Sequence, residues 1–289
     1  MLRYFGYVFI VAMAVVMAVT VAVLLVGGLA GRAASPTDLR LTVFDVVALP
    51  TPNRVRGQAV LEDLRHANRV GQAPIFFRFH EDYVDAGWFN KQGIAVGSRR
   101  GSLPEGRHPY EAFVSELTGP LGLRATGTAW VRTPETKVLW VDAGAVLPPL
   151  GRSAGGGPTG VVPEAIETLR GLAFGRQLVY LVATDAGRYG AMRRQLADAP
   201  LPPGPAWWVE PESEPQSLAS LKRTWPKVDA VLVGSRRLAE AAGTLGLQVL
   251  AVPAPADAEG VPPAESVAWP DVGRRLSAKT KDANDKEGN

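Results

Sequence analysis

Apolar positions fall into three regimes along the chain. From Val8 to Leu29 they run almost unbroken, interrupted by Thr20, Gly27 and Gly28, and no charged residue occurs between Arg3 and Arg32. At 1.5 Å per residue, such a run is enough helix to cross a hydrocarbon core of roughly 30 Å. It predicts one N-terminal transmembrane helix within residues 1–34, too long and too apolar all round to be the buried helix of a small domain. It also exceeds the apolar core of roughly 7–15 residues in a secretory signal, which favours an uncleaved anchor, while Ala30, Gly31, Ala33 and Ala34 leave room for cleavage. Tyr4, Phe5 and Tyr7 supply interfacial aromatics, so residues 4–29 are the predicted contact with the lipid bilayer. Arg3 and the amino terminus barely outweigh Arg32 and Arg40, which favours an inside N-terminus and an extracytoplasmic bulk.

In the second regime, residues 37–135, the period shortens to two. LRLTVFDVVAL, VRGQAVLEDL, PIFFRFHEDYVD, GIAVGSR, HPYEAFVSEL and ATGTAWVRT alternate between turn residues such as Pro50, Gly71, Gly87, Gly101 and Pro104. About six strands at this spacing predict an antiparallel β-sandwich domain. Pro109 cannot donate to a central ladder, so SLPEGRHPYEAF reads as a turn feeding an edge strand. The pair Trp88 and Phe89 reads as core or hairpin packing, with a recognition patch as the alternative.

The third regime, residues 137–255, alternates strand and helix. Strands are expected at 138–142, 177–184, 205–210, 229–234 and 247–252, with helices near 162–174, 188–197, 216–224 and 235–245. Near-continuous apolar runs such as VLWVD and VDAVLVG suit strands covered on both faces, so the prediction is a Rossmann-like α/β domain of three layers with a parallel sheet. Trp207 and Trp208 would face opposite sides of it, each covered by a helix. The remainder, residues 256–289, ends in mixed charge and is expected to be largely disordered.

Composition narrows the chemistry. A net charge of +3 with scattered Lys and Arg gives no nucleic-acid footprint. The absence of cysteine excludes disulfides, thiolate zinc sites and a cysteine nucleophile. His66, His80 and His108 match no ligand spacing on one element and read as solvated or hydrogen-bonded strand residues, so no metal site is assigned. The glycines of LPPLGRSAGGGPTG are not followed by Gly-Lys-Ser/Thr, which makes Leu147 to Gly160 a flexible insertion rather than a phosphate loop.

One resemblance is carried by particular residues. An apolar strand ending in Asp142, a second ending in Thr184, then Lys222, then a strand ending in Gly234 is similar in order to the haloacid dehalogenase (HAD) superfamily. LPPGPAWW and SLKRTWPKVDAVLVGSRRLAEAAGTLGLQVLAVP resemble its phosphatidate phosphatase/lipin-like branch, and LPEGRH resembles a turn that precedes the catalytic aspartate in some members. The resemblance implies Asp142 as nucleophile, Thr184 as the hydroxyl on the transferring phosphoryl, and Lys222, or Lys227, as its counter-charge. It also implies an acid two residues after the nucleophile, where this chain has Gly144. Carboxylates for Mg²⁺ would follow Gly234, where this chain has Ser235, Arg236 and Arg237.

Magnesium needs several oxygen ligands, and one aspartate holds it weakly. A missing general acid forfeits roughly 10²–10⁴ in rate. Asp142 therefore reads as a retained turn residue, and the expectation is a membrane-anchored, catalytically degenerate module for binding or scaffolding that uses no cofactor. Ser235, Arg236 and Arg237 could hold an anion at a helix start, with solvated arginines and a Ser235 cap as the plainer alternative. Two further readings stay open. One is a Mg²⁺-dependent phosphatase with Asp142 as nucleophile and Asp185 as substitute acid; the other is presentation of the sandwich to an envelope protein partner.

Overall fold

The computed structural model describes residues 41–50, 55–61, 74–79, 82–90, 93–99, 102–114, 123–148, 150, 161–254 and 266–276. The expected membrane span, His66, His80, most of the glycine-rich insertion and the extreme C-terminus lie outside the described residues. Among the described residues, no helix is long and apolar enough to cross a membrane.

Eight strands come first: β1 (Leu41–Val43), β2 (Val46–Ala48), β3 (Val55–Leu61), β4 (Pro74–Phe79), β5 (Asp82–Trp88), β6 (Ile94–Arg99), β7 (Gly106–Val114) and β8 (Arg124–Val131). They form a three-stranded sheet, β1-β3-β6, and a five-stranded sheet, β2-β8-β7-β4-β5. The first is antiparallel, whereas the second is mixed because β2 runs parallel to β8. Strict alternation along β4, with Ile75, Phe77 and Phe79 buried, supplies the core. Phe79 stacks on Tyr110 at 4.6 Å. Gly87 and Gly97 face the Phe77 ring from β5 and β6; a Cβ at Gly97 would lie 2.2 Å from it, so only glycine leaves the ring its place.

The chain then enters β9 (Val138–Asp142), α1 (Ala143–Val146), α2 (Pro163–Leu172), β10 (Gln177–Ala183), α3 (Ala186–Asp198), β11 (Ala206–Val209), α4 (Glu214–Thr224), β12 (Val228–Val233), α5 (Arg236–Thr244), β13 (Val249–Ala251) and a helix over 269–276, α6. These strands make a parallel sheet in the order β11-β10-β9-β12-β13. Leu139 and Val141 join Ala165, Leu169, Trp269 and Val272 in one core, and Val138 and Trp140 join Leu218, Leu221, Leu238 and Ala242 in another. Trp207 belongs to the second of these, whereas Trp208 packs with Phe44 and Tyr189.

The fold class expected from sequence is corrected. The first half is not a simple antiparallel sandwich but a sheet pair with a curled, mixed member, because LRLTVFDVVAL is two strands in different sheets, changing sheet at Phe44 and Asp45. Alternation announces a strand but not its partner's direction. Nor is the parallel sheet a free-standing dehalogenase-like domain of three layers: Trp130 and Val47 of the mixed sheet, with Leu49 just after β2, complete one of its cores. Pro109 lies in β7, an interior strand, yet one residue beyond the last described pair with β4, Phe79 to Tyr110, so no ladder donor is lost on that side.

At the change of sheet, Asp45 fastens three elements. It is only 8% exposed. Its Oδ1 accepts from Thr128 N at 3.1 Å and from the Arg193 guanidinium at 2.8–2.9 Å, and its Oδ2 accepts from Ala206 N at 3.1 Å. Its own N–H donates to the Tyr189 hydroxyl at 3.0 Å, and that hydroxyl donates to Ala206 O at 2.6 Å. Burial first, then the Asp45 charge, pushes the Tyr189 phenol well above its ordinary range, so it stays a donor. The Phe44 ring packs at a tilt against Tyr189, centroids 4.5 Å apart, and against Trp208, 4.9 Å apart.

Removing one member of a buried ion pair strands the other, so Asp45→Ala should cost about 3 kcal/mol in urea unfolding. Adding Arg193→Met should recover part of that loss; a double variant no better than the single one would argue against the pairing. Gly97→Ala should cost about 1–3 kcal/mol by overpacking, partly recovered by Phe77→Leu.

Candidate functional site

In the parallel sheet, β9 and β10 continue toward β11 on one side, while β12 and β13 lie on the other. Chain direction across the sheet thus reverses between β9 and β12, and their carboxyl ends frame the crevice where ligands of open α/β sheets bind. Asp142 ends β9, and Gly234 follows β12. Around them lies a cleft of about 620 Å³, lined by Asp142, Ala143, Gly144, Leu147, Pro148, Leu150, Ala183, Thr184, Arg188, Met192, Gly234, Ser235 and Ala254.

The Asp142 carboxylate spans the crevice rather than pointing freely into it. Oδ1 accepts from Gly144 N at 2.9 Å, which also caps α1, and Oδ2 accepts from Gly234 N across the crevice at 3.1 Å. Ser235 adds main-chain and hydroxyl hydrogen bonds. The side chain is 4% exposed. These donors favour the charged form, but burial opposes it and wins, so the carboxyl titrates above its ordinary value. Gly144 suits this arrangement: a Cβ there would lie 3.3 Å from Oδ1.

Thr184 lines the cleft at the end of β10, and its carbonyl accepts from Trp208 Nε1 at 2.8 Å. Ser235 also lines the cleft and caps α5, its hydroxyl accepting from Leu238 N at 3.4 Å. The other predicted residues stand elsewhere. Lys222, near the end of α4, donates to Leu245 O at 2.7 Å and ties α4 to the end of α5. Lys227 pairs with Glu135, and its carbonyl accepts from Val138 N, which places it at the amino ends of β9 and β12, opposite the cleft. Arg236 pairs with Glu240 at 2.8 Å and Arg237 with Glu214 at 2.7 Å, and neither is among the residues lining the cleft. Asp185, exposed before α3, is outside the cleft lining.

Among the described residues, no three His, Cys, Asp or Glu side chains gather as a metal site. His108 is buried on β7, with Nε2 2.7 Å from Pro104 O, a contact in which the ring must donate.

Arg188 was not singled out by sequence. It occupies the first turn of α3, is exposed, lines the cleft, and has no side-chain partner among the described residues. The signal was available: a cation one helical turn beyond Thr184, at a strand-to-helix junction that points ligand-ward in α/β sheets.

No family model and no curated protein matches the chain. Solved structures similar to part of it include a Corynebacterium diphtheriae protein described as membrane anchored, with 14% identity over 33% of this chain and 21% of that one and a TM-score of 0.26. The Yersinia pseudotuberculosis adhesin InvE matches with 17% identity over 36% of this chain and 29% of that one, TM-score 0.24. The titin M3 domain matches with 11% identity over 32% of this chain and 98% of that one, TM-score 0.23. The chain thus spans under a third of the length of the first two.

The raised Asp142 carboxyl sets a pH dependence. Its folded-state pKa lies above the ordinary 3.8, so the native state binds the proton more tightly than the unfolded chain. Its stabilising contribution is complete below the ordinary value and is lost as pH rises through the folded one. Urea titrations at about pH 4 and pH 7.5 should show the wild type losing ground to Asp142→Asn at the higher pH. The opposite trend would mean that the amides outweigh burial.

Proposed function

We propose that this chain is a membrane-held binding module whose cleft takes a small ligand with an anionic group, and that it is not a catalyst. The carrying observation is the state of Asp142: both carboxylate oxygens are engaged by main-chain amides, the group is buried, and no cluster of acids accompanies it among the described residues. A nucleophile needs a free lone pair aimed at the reacting atom, and a magnesium site needs several oxygens. Asp142 instead uses its lone pairs to close the crevice and form the cleft floor.

What remains open to a ligand is the wall. Arg188 brings a positive charge unpaired among the described residues and five donors, Thr184 brings a hydroxyl, and Leu147, Pro148, Leu150 and Met192 bring apolar surface. That combination of one charged anchor, few polar groups and an apolar lining is the usual composition of a small-molecule site. The bilayer span proposed for residues 4–29 would hold the module at a membrane.

Two measurements on the full chain test this. Hydrolysis of p-nitrophenyl phosphate should stay at the no-protein rate with and without Mg²⁺. Turnover that disappears in Asp142→Asn would instead establish a phosphatase. Phenyl phosphate, used as a probe, should raise the melting temperature of the wild type, and Arg188→Ala should weaken that binding roughly tenfold, the equivalent of about 1.4 kcal/mol. Equal binding by both proteins would remove Arg188 from the site.

A further inference from the structure

We propose that the turn joining β5 to β6 is a second membrane contact, seating Trp88 and Val96 in the interfacial layer of the bilayer. The proposal rests on the reading of residues 4–29 as a span, and it adds a surface which that reading does not require.

Two of the most exposed large apolar side chains among the described residues are Trp88, 60% exposed, and Val96, 51% exposed. They flank one turn, which carries the chain from β5 in the mixed sheet to β6 in the three-stranded one. Asn90 N donates to Ile94 O at 2.8 Å, Gly93 N to Asn90 O at 2.9 Å, and Ile94 N to the Asn90 side chain at 2.9 Å, closing the turn. The two strands stay close beyond the turn, since a Cβ at Gly87 would meet the Val96 carbonyl at 3.0 Å. Gly87, Ala95 and Gly97 are buried, with Gly87 and Gly97 turned toward Phe77. Trp88 and Val96 are one residue out of phase with them and point away from Phe77. Phe89, next in line, is buried, so the Trp88-Phe89 pair is divided between core and surface.

The occupant follows from where the chain enters. Leu41 pairs with Leu61, and the adjacent Val60 pairs with Ile94, so the start of β1 and the β5–β6 turn lie at the same end of the three-stranded sheet. At about 4.8 Å per strand, Leu41 and the turn are about 10 Å apart. The apolar run ends at Leu29, only a short segment before that point. A chain held in a bilayer by that run confines this end of the sheet near the lipid at high effective concentration, where even a weak contact is populated. Tryptophan beside an aliphatic residue suits such a contact, since its ring prefers the headgroup level.

The absence of cysteine makes the test clean, because Val96→Cys gives a unique labelling site. The full chain, carrying a fluorophore there, is reconstituted into phosphatidylcholine vesicles and exposed either to a lipid-attached quencher or to a soluble one. Phe174→Cys, at a residue 86% exposed in the turn after α2, is the reference. The Val96 label should be quenched from the lipid at least threefold more than the reference, and Trp88→Ser should cut that excess by half or more. A Val96 label as open to the soluble quencher as the reference overturns the contact while leaving the anchor intact. A label shielded from both quenchers points to a protein partner and also overturns it. If the chain does not float with the vesicles, both the anchor and the contact fall.

Discussion

The structure turns on one buried carboxylate at the change of sheet. Asp45 faces a guanidinium, an amide of the mixed sheet and an amide of the parallel sheet, and so joins parts of the chain more than a hundred residues apart. A charge taken out of water is tolerated only where nearly every lone pair is used, and here the partners are fixed main-chain groups and a largely buried arginine. Phe44, one residue earlier, does the apolar half of the same job against Tyr189 and Trp208. Neighbouring residues that turn their side chains into the other half of the molecule explain why the two halves share cores instead of standing as separate domains.

Asp142 solves a related problem with a different outcome. At the reversal point of a parallel sheet, amides of the following turns converge and favour negative charge. In this chain a built-in carboxylate takes up those amides from Gly144, Gly234 and Ser235. Those amides are therefore already engaged at the floor of the cleft, and Arg188 and Thr184 line its wall.

Much of the local structure was legible. In the second half, apolar runs and helix stops placed each of the five strands within about two residues, since strands buried on both faces read as continuous apolar sequence. The helix over 269–276 was missed although Trp269, Val272 and Leu276 recur at helical spacing. What sequence could not supply was partnership. Whether β2 lies parallel to β8, whether Asp45 meets Arg193, and whether Arg236 and Arg237 are already paired depend on contacts between distant segments. No period encodes those contacts. The site suffered most: Asp142, Thr184 and Ser235 do meet, but Lys222 and Lys227 are committed to other bonds, and Arg188 gave only a positional hint.

The rims of the parallel sheet carry a last consequence. At β11, the Ala206 N–H is taken by Asp45 and its carbonyl by Tyr189, while at β13 the Ala251 carbonyl accepts from Val267 N. Open strand rims are templates on which other chains can grow. Here the outward groups of Ala206 and the Ala251 carbonyl already have partners from within the same molecule. Pairing of another copy at Ala206 would first require undoing the join at Asp45, so bonds that unify the fold also guard that point of the rim against self-association.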